Sequence, residues 1–131
     1  MAFRRRRAPI LIADDDPATR DGMAEFLEHF GWPVVSVPDG QEAMNLLVGG
    51  LVPSLLIVDL GMPQLRGDEL LKYNQSDPEL RLVPVLVVTG APDQVGRTVA
   101  DAILTKPVDL MALLGHVRRL TAATRDRRVV R

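Results

Sequence analysis

The chain has 131 residues, 47% of them hydrophobic, a formal net charge of −1 and no cysteine. That length suits one ordinary domain around one core. The balanced charge gives no argument for nucleic acid or an acidic ligand, and the missing cysteine excludes disulfides, thiolate catalysis and thiolate metal sites. No apolar run nears the roughly 20 residues that span a bilayer, and the start lacks the apolar segment and small-residue cleavage site of a signal peptide. A cytoplasmic chain without membrane contact is expected. Arg4 to Arg7 at one end, and Arg118, Arg119, Arg125, Arg127, Arg128 and Arg131 at the other, read as solvated, partly disordered termini. No aromatic residue is interleaved with them, so they are not read as a nucleic-acid or lipid patch.

Taken in order, Pro9-Ile10-Leu11-Ile12-Ala13 is an apolar run of strand length that ends in Asp14, Asp15 and Asp16. Asp16 suits an N-cap and Pro17 a first helical position, where its missing N–H costs nothing. Met23, Phe26, Leu27 and Phe30 then recur at helical spacing and predict one buried face for a helix over Pro17 to Phe30, stopped by Gly31. Val34 to Val37 is a short β-branched strand. Asp39 caps a second helix with Ala43, Met44, Leu46 and Leu47 inward, up to Gly49-Gly50.

Leu55-Leu56-Ile57-Val58 has no helical spacing and reads as a strand buried on both faces, as in a parallel sheet. It ends in Asp59, and Gly61 and Pro63 break it. A loop to Gly67 and a short helix over Asp68 to Asn74, with Leu70 and Leu71 inward, come next. Pro84 to Val88 is the most strand-like segment and ends in Thr89-Gly90. Ala102 to Thr105 is the last strand, leading into Lys106-Pro107. Asp109 caps a closing helix with Leu110, Leu113, Leu114, Val117 and Leu120 on one face. The strand and helix alternation means a parallel α/β sheet with helices on both faces.

Four of the five strands are followed at once by a residue with chemistry to offer: Asp14 and Asp15, Asp59, Thr89, and Lys106. In a parallel sheet those ends share one edge. Carboxylates gathered there repel one another and raise their pKa values. A hard divalent cation such as Mg²⁺ resolves this with carboxylate, carbonyl and water oxygens. A cation beside a hydroxyl and an ammonium suits the oxygens of a phosphoryl group, and one carboxylate is then a candidate nucleophile.

Four segments, Ile10 to Pro17, Val58 to Pro63 with Gly67 beyond, Val87 to Gly90, and Leu104 to Pro107, resemble the signature segments of the receiver domains of two-component response regulators. The resemblance runs from about Ala8 to Leu120. It implies a doubly wound, five-stranded parallel sheet of the flavodoxin-like receiver fold, with strand order 2-1-3-4-5. It implies that Asp59 accepts a phosphoryl group from a phosphohistidine on a sensor histidine kinase or histidine phosphotransfer protein. Asp15, Asp59 and the backbone carbonyl of Gly61 would ligate Mg²⁺ directly, and Asp14 mainly through a water. Lys106 would pair with phosphoryl oxygens or with Asp14 and Asp59, Thr89 would donate its hydroxyl, and Pro107 would follow a cis bond.

The chain departs from the family in two places. The stretch between Thr89 and Lys106 is short by more than a helical turn, with Pro92 and Gly96 weakening its helix. An aromatic switch position three before Lys106 holds Ile103. Gly61 and Ala91, two beyond Asp59 and Thr89, offer no side chain to position an attacking water. An acyl phosphate that is not unusually short-lived is expected.

The expected organisation is a basic arm at 1–7, a receiver domain at 8–121 and a basic tail at 122–131. The expectation is a single-domain regulator with no output domain of its own, its output being contact with a downstream protein target or service as a phosphate relay or sink. A homodimer is left open. Rival readings are a Mg²⁺-dependent small-molecule phosphatase, which lacks a second aspartate at Gly61 and room for a cap domain, and a phosphorylation-independent adaptor. His29 and His116 have no second ligand at metal spacing, and Trp32 and Tyr73 read as packing residues.

Overall fold

In a computed structural model the described residues are 7–62, 67–92, 95 and 100–129, with side chains as far as 122 in the last helix. Five strands, β1 (Ile10–Ala13), β2 (Val34–Val37), β3 (Leu55–Val58), β4 (Val85–Thr89) and β5 (Ala102–Thr105), form one parallel sheet in the order β2-β1-β3-β4-β5. Helices α1 (Pro17–His29), α2 (Gly40–Val48), α3 (Gly67–Ser76) and α4 (Leu110–Val129) cover it, and a 3-10 turn spans Leu80–Leu82. This is the doubly wound, flavodoxin-like order that the alternation and the resemblance implied.

Two apolar layers sandwich the sheet because β1 and β3 are fully buried and alternate their side chains. Leu11, Ala13, Leu56, Val58, Val85 and Val87 face α2 and α3. Ile10, Ile12, Leu55, Ile57, Leu86 and Val88 face α1 and α4. The helix starts follow their capping residues: the Asp16 carboxylate accepts from the Thr19 amide, Asp39 from Glu42 and Asp109 from Met111. Gly31 ends α1 with φ +95, in the left-handed region where glycine carries no Cβ penalty.

Several boundaries and faces differ from expectation. Phe30 is the C-cap of α1, 40% exposed, because α1 outruns the sheet layer beneath it. Leu110 is also exposed, at the entry of α4, where Leu113, Leu114, Val117 and Leu120 alone reach the core. Thr89 closes β4 as a strand residue, Pro84 precedes it, and α3 extends two residues past Asn74. Helix α4 runs to Val129, into the segment expected as a tail, since Ala122 and Ala123 offer it no stop signal. The curtailed helix expected between Thr89 and Lys106 falls on 93–94 and 96–99, outside the described residues, as do Pro63 and residues 1–6.

The start of β4 is held by Asp101, whose Oδ2 accepts from the amide of buried Val85 at 2.8 Å and whose own amide donates back to the Val85 carbonyl. Asp101→Ala leaves that amide without a partner, so denaturant unfolding should show a loss of about 1–3 kcal/mol. Asp101→Asn, which keeps an acceptor oxygen, should lose less. An unchanged midpoint in the alanine variant would contradict this role.

Candidate functional site

The carboxyl ends of β1, β3, β4 and β5 meet on one edge and bring together residues far apart in sequence. Asp14 and Asp15 follow β1, Asp59 follows β3, Thr89 ends β4 and Lys106 follows β5. Lys106 Nζ lies 3.1 Å from Asp14 Oδ1, 3.0 Å from Asp14 Oδ2 and 3.1 Å from Asp59 Oδ2. The ammonium thus bridges two carboxylates that the chain separates by 45 residues. Its approach follows β5, whose first residue after the strand is anchored by the Lys106 amide donating to the Thr89 carbonyl. The Lys106-Pro107 bond is cis, as expected.

Asp14 is only 1% exposed. Its Oδ1 accepts from the Asp16 amide at 2.9 Å as well as from Lys106. Oδ2 is shut off from solvent and has no hydrogen bond directed at it from the described residues, though the Lys106 ammonium lies 3.0 Å away. Burial raises the Asp14 pKa above the ordinary carboxylate range, only partly offset by the Asp16 amide and by Lys106. For Lys106 burial acts downward, but hydrogen bonds and charge from Asp14 and Asp59 outweigh it, and its pKa is raised. Asp59 is buried, its Oδ1 accepting from the Gly61 amide at 2.9 Å, while Asp15 is exposed. The Thr89 hydroxyl accepts from the Ala91 amide at 3.0 Å, and a Cβ on Gly90 would meet nothing within 4 Å.

Asp14, Asp15 and Asp59 each offer an oxygen, all within 4.8 Å of one another. Three hard carboxylate oxygen donors fit Mg²⁺ better than a softer metal. The candidate site residues named from sequence, Asp14, Asp15, Asp59, Gly61, Thr89 and Lys106, lie on this edge. Arg20 was not singled out, and Gly67 was marked only as part of a signature segment. Arg20 Nη1 donates to the Asp14 carbonyl at 2.9 Å, and Gly67 lies so close that a Cβ there would sit 2.7 Å from the Asp59 carbonyl oxygen. The Pro17 start places Arg20 one turn into α1, where its reach back to β1 was the only available signal.

The raised Asp14 pKa has a consequence for stability. A carboxyl that holds its proton more tightly when folded opposes folding increasingly as pH rises from its unfolded value near 4. Without divalent cations, Asp14→Asn should therefore raise the melting temperature at pH 7, and the gain should vanish at pH 3. Mg²⁺ should stabilise the native chain by mass action and the variant far less. A variant that melts lower at pH 7 without cation would contradict this.

A doubly wound α/β domain with an acidic, lysine-bridged cleft at the carboxyl edge of its sheet is what fold and site define. The response regulator receiver domain profile matches residues 10–118. The chain is 36% identical over 117 residues to the response regulator RR06 of Streptococcus pneumoniae, covering 85% of this chain and 52% of that one. It is 35% identical over 119 residues to an uncharacterized 14.6 kDa protein of Leptolyngbya boryana, covering 87% and 90%. A solved receiver domain of a signal transduction histidine kinase from Syntrophus aciditrophicus superposes with a TM-score of 0.80 at 30% identity, covering 88% and 91%. This chain belongs to the response regulator receiver domain family of two-component systems. It spans about half the length of the response regulators it matches. Among the described residues no helix is long and apolar enough to cross a membrane.

Proposed function

We propose that Asp59 accepts a phosphoryl group from a phosphohistidine donor, in a Mg²⁺-dependent reaction, and that the modified domain signals through altered protein contacts. The observation that carries this reading is Lys106 Nζ set 3.0–3.1 Å from both Asp14 and Asp59 beside three convergent carboxylates. Asp14, Asp15, Asp59 and the Gly61 carbonyl would hold the cation, which when bound supplies charge neutralisation for the transferring phosphoryl oxygens.

Asp59 Oδ2 is the attacking oxygen in this reading, since Oδ1 is tied to the Gly61 amide. Attack on phosphorus forms the Asp59 acyl phosphate and expels the donor imidazole nitrogen. Lys106 then exchanges its Asp59 contact for a phosphoryl oxygen while retaining Asp14. The Thr89 hydroxyl, which accepts from Ala91, has its proton left to donate to another phosphoryl oxygen. Buried Asp59 limits the access of bulk water to the product. The domain acts on itself and has no turnover substrate, so it is a signalling module, with a histidine kinase or phosphotransfer protein upstream and a protein target downstream.

The phosphatase alternative has less support, because no acid stands at Gly61 to protonate a leaving group. Intact mass after incubation with acetyl phosphate and Mg²⁺ tests the proposal. One added phosphoryl group, absent with a chelator and absent in Asp59→Asn, is the expected result. Loading that ignores the chelator would remove the metal from the account.

Lifetime follows from the flanking residues. A Cβ on Gly61 would approach Asp59 Oδ1 only to an ordinary 3.6 Å, so side chains fit there. Gly61→Asn or Ala91→Glu should bring a hydrogen-bonding group to the attacking water and shorten the acyl phosphate half-life by about tenfold, roughly 1.4 kcal/mol of barrier. Equal decay in all three proteins would contradict the assignment.

A further inference from the structure

Charge in this chain is strongly segregated. Ten of the sixteen basic residues, all arginine, lie in 1–7 and 118–131, with Asp126 as the one acidic residue among them. The intervening 8–117 holds sixteen acidic and six basic residues, a formal −10 against +9 at the ends.

The fold brings the described parts of both ends to one place. Arg7 precedes β1 and α4 descends from the phosphoacceptor edge, so Arg7, Arg118 and Arg119 lie at the opposite, amino edge of the sheet. Arg7 Cζ lies 5.2 Å from the Trp32 ring centroid and Arg118 Cζ 5.8 Å from that of Phe30. Phe30 and Trp32 flank Gly31 in the α1–β2 turn, so two chain ends rest on one three-residue corner. Arg119 bonds His116 at 2.9 Å, and Phe26 and His29 pack on Phe30.

Arg7, Arg118 and Arg119 are exposed, and none has a carboxylate within 4.0 Å among the described residues, although Glu25 and Glu28 lie on the outer side of α1. Helix α4 then carries Arg125, Arg127 and Arg128 beyond this corner. Aromatic rings here steady the guanidinium groups without cancelling their charge. The expectation against nucleic acid rested on the balanced total charge and on the absence of aromatic residues among the arginines in sequence; the charge is segregated along the chain, and in space Trp32 and Phe30 supply the rings.

We propose that this arginine-rich corner is a nucleic-acid docking surface that grips the phosphate backbone without reading base sequence. Guanidinium forks match phosphate oxygens, and a lysine-free set of arginines spread over two chain ends suits a repeating array of phosphates. A lipid surface fits less well, because the exposed apolar group at this corner is the single ring of Phe30, too little to insert as the apolar face of an interfacial helix does. The inference stands apart from the phosphoryl chemistry at the other edge.

Fluorescence anisotropy of the full chain with a labelled, mixed-sequence duplex of about twenty base pairs tests it. Binding should be seen near 50 mM salt and weaken by more than about tenfold near 200 mM. Arg7→Gln with Arg118→Gln should reduce the salt slope by about 2, and Arg118→Glu with Arg119→Glu should cut affinity further. Loading by acetyl phosphate should be unchanged in these variants. No binding at low salt, or binding indifferent to all four substitutions, would overturn the proposal. So would capture by phosphatidylserine vesicles without capture of the duplex, or self-association at low salt in its place.

Discussion

Gly67→Ala is expected to slow phosphoryl loading of Asp59 and to cost about 1–3 kcal/mol of stability, a typical penalty for an added methyl in a packed site. The new Cβ would sit 2.7 Å from the Asp59 carbonyl oxygen, 2.8 Å from Leu60 Cα and 2.9 Å from Leu60 Cδ2. Two of those atoms are backbone and cannot swing aside, so either α3 or the turn after β3 must move. Movement of that turn carries the phosphoacceptor with it, because Asp59 Oδ1 is tied to the Gly61 amide at 2.9 Å. The variant should therefore lose loading rate at acetyl phosphate concentrations where the native chain is half-modified, while remaining folded by circular dichroism. A variant that loads and melts like the native chain would mean that the close approach is not a constraint.

The second large effect has the opposite sign. Asn74 lies on the inner face of α3 beside Leu70 and Leu71, fully buried, and neither its Nδ2 nor its Oδ1 has a hydrogen-bond partner among the described residues. An unsatisfied buried amide costs about 1–3 kcal/mol, whereas an apolar side chain of similar shape at the same place costs nothing of that kind. Asn74→Leu should thus raise stability by about that amount, or several degrees in melting temperature for a chain of this size. The far end of α3 is distant from the acidic cleft in chain order, so loading should be unaffected. If the variant is less stable, Asn74 has a partner in solution, an internal water being the first to seek.

Most of the site was legible because its residues stand where apolar runs stop. Asp14, Asp59, Thr89 and Lys106 each follow or close a short β-branched or aliphatic strand, and a parallel sheet leaves such ends no other place to go. Helix starts were legible for a local reason, since Asp16, Asp39 and Asp109 cap within three residues of themselves. What failed was periodicity at helix ends. Phe30 and Leu110 fall in phase with buried residues but lie beyond the opposing layer, and phase carries no information on where a layer ends. Arg20 escaped notice because it acts through the Asp14 backbone carbonyl, which no side-chain pattern marks, and Gly67 was marked only as part of a signature segment, its contact with the Asp59 carbonyl being likewise invisible in sequence. Asn74 was read as a helix end and proved to be a core position occupied by a polar group. The convergence of Arg7 and Arg118 on one turn was invisible for the same reason as the cleft was visible: it depends on which edge each segment reaches, and the basic ends have no strand of their own.

The most direct test of the central claim is to locate the modified residue. The loaded chain is treated with borohydride, which reduces an aspartyl phosphate to homoserine, and is then mapped by peptide mass spectrometry. Homoserine at position 59 alone, lost when Mg²⁺ is chelated before loading, is the predicted result. Homoserine at 14 or 15, or a phosphoryl group on a histidine or hydroxyl side chain with Asp59 intact, would contradict it.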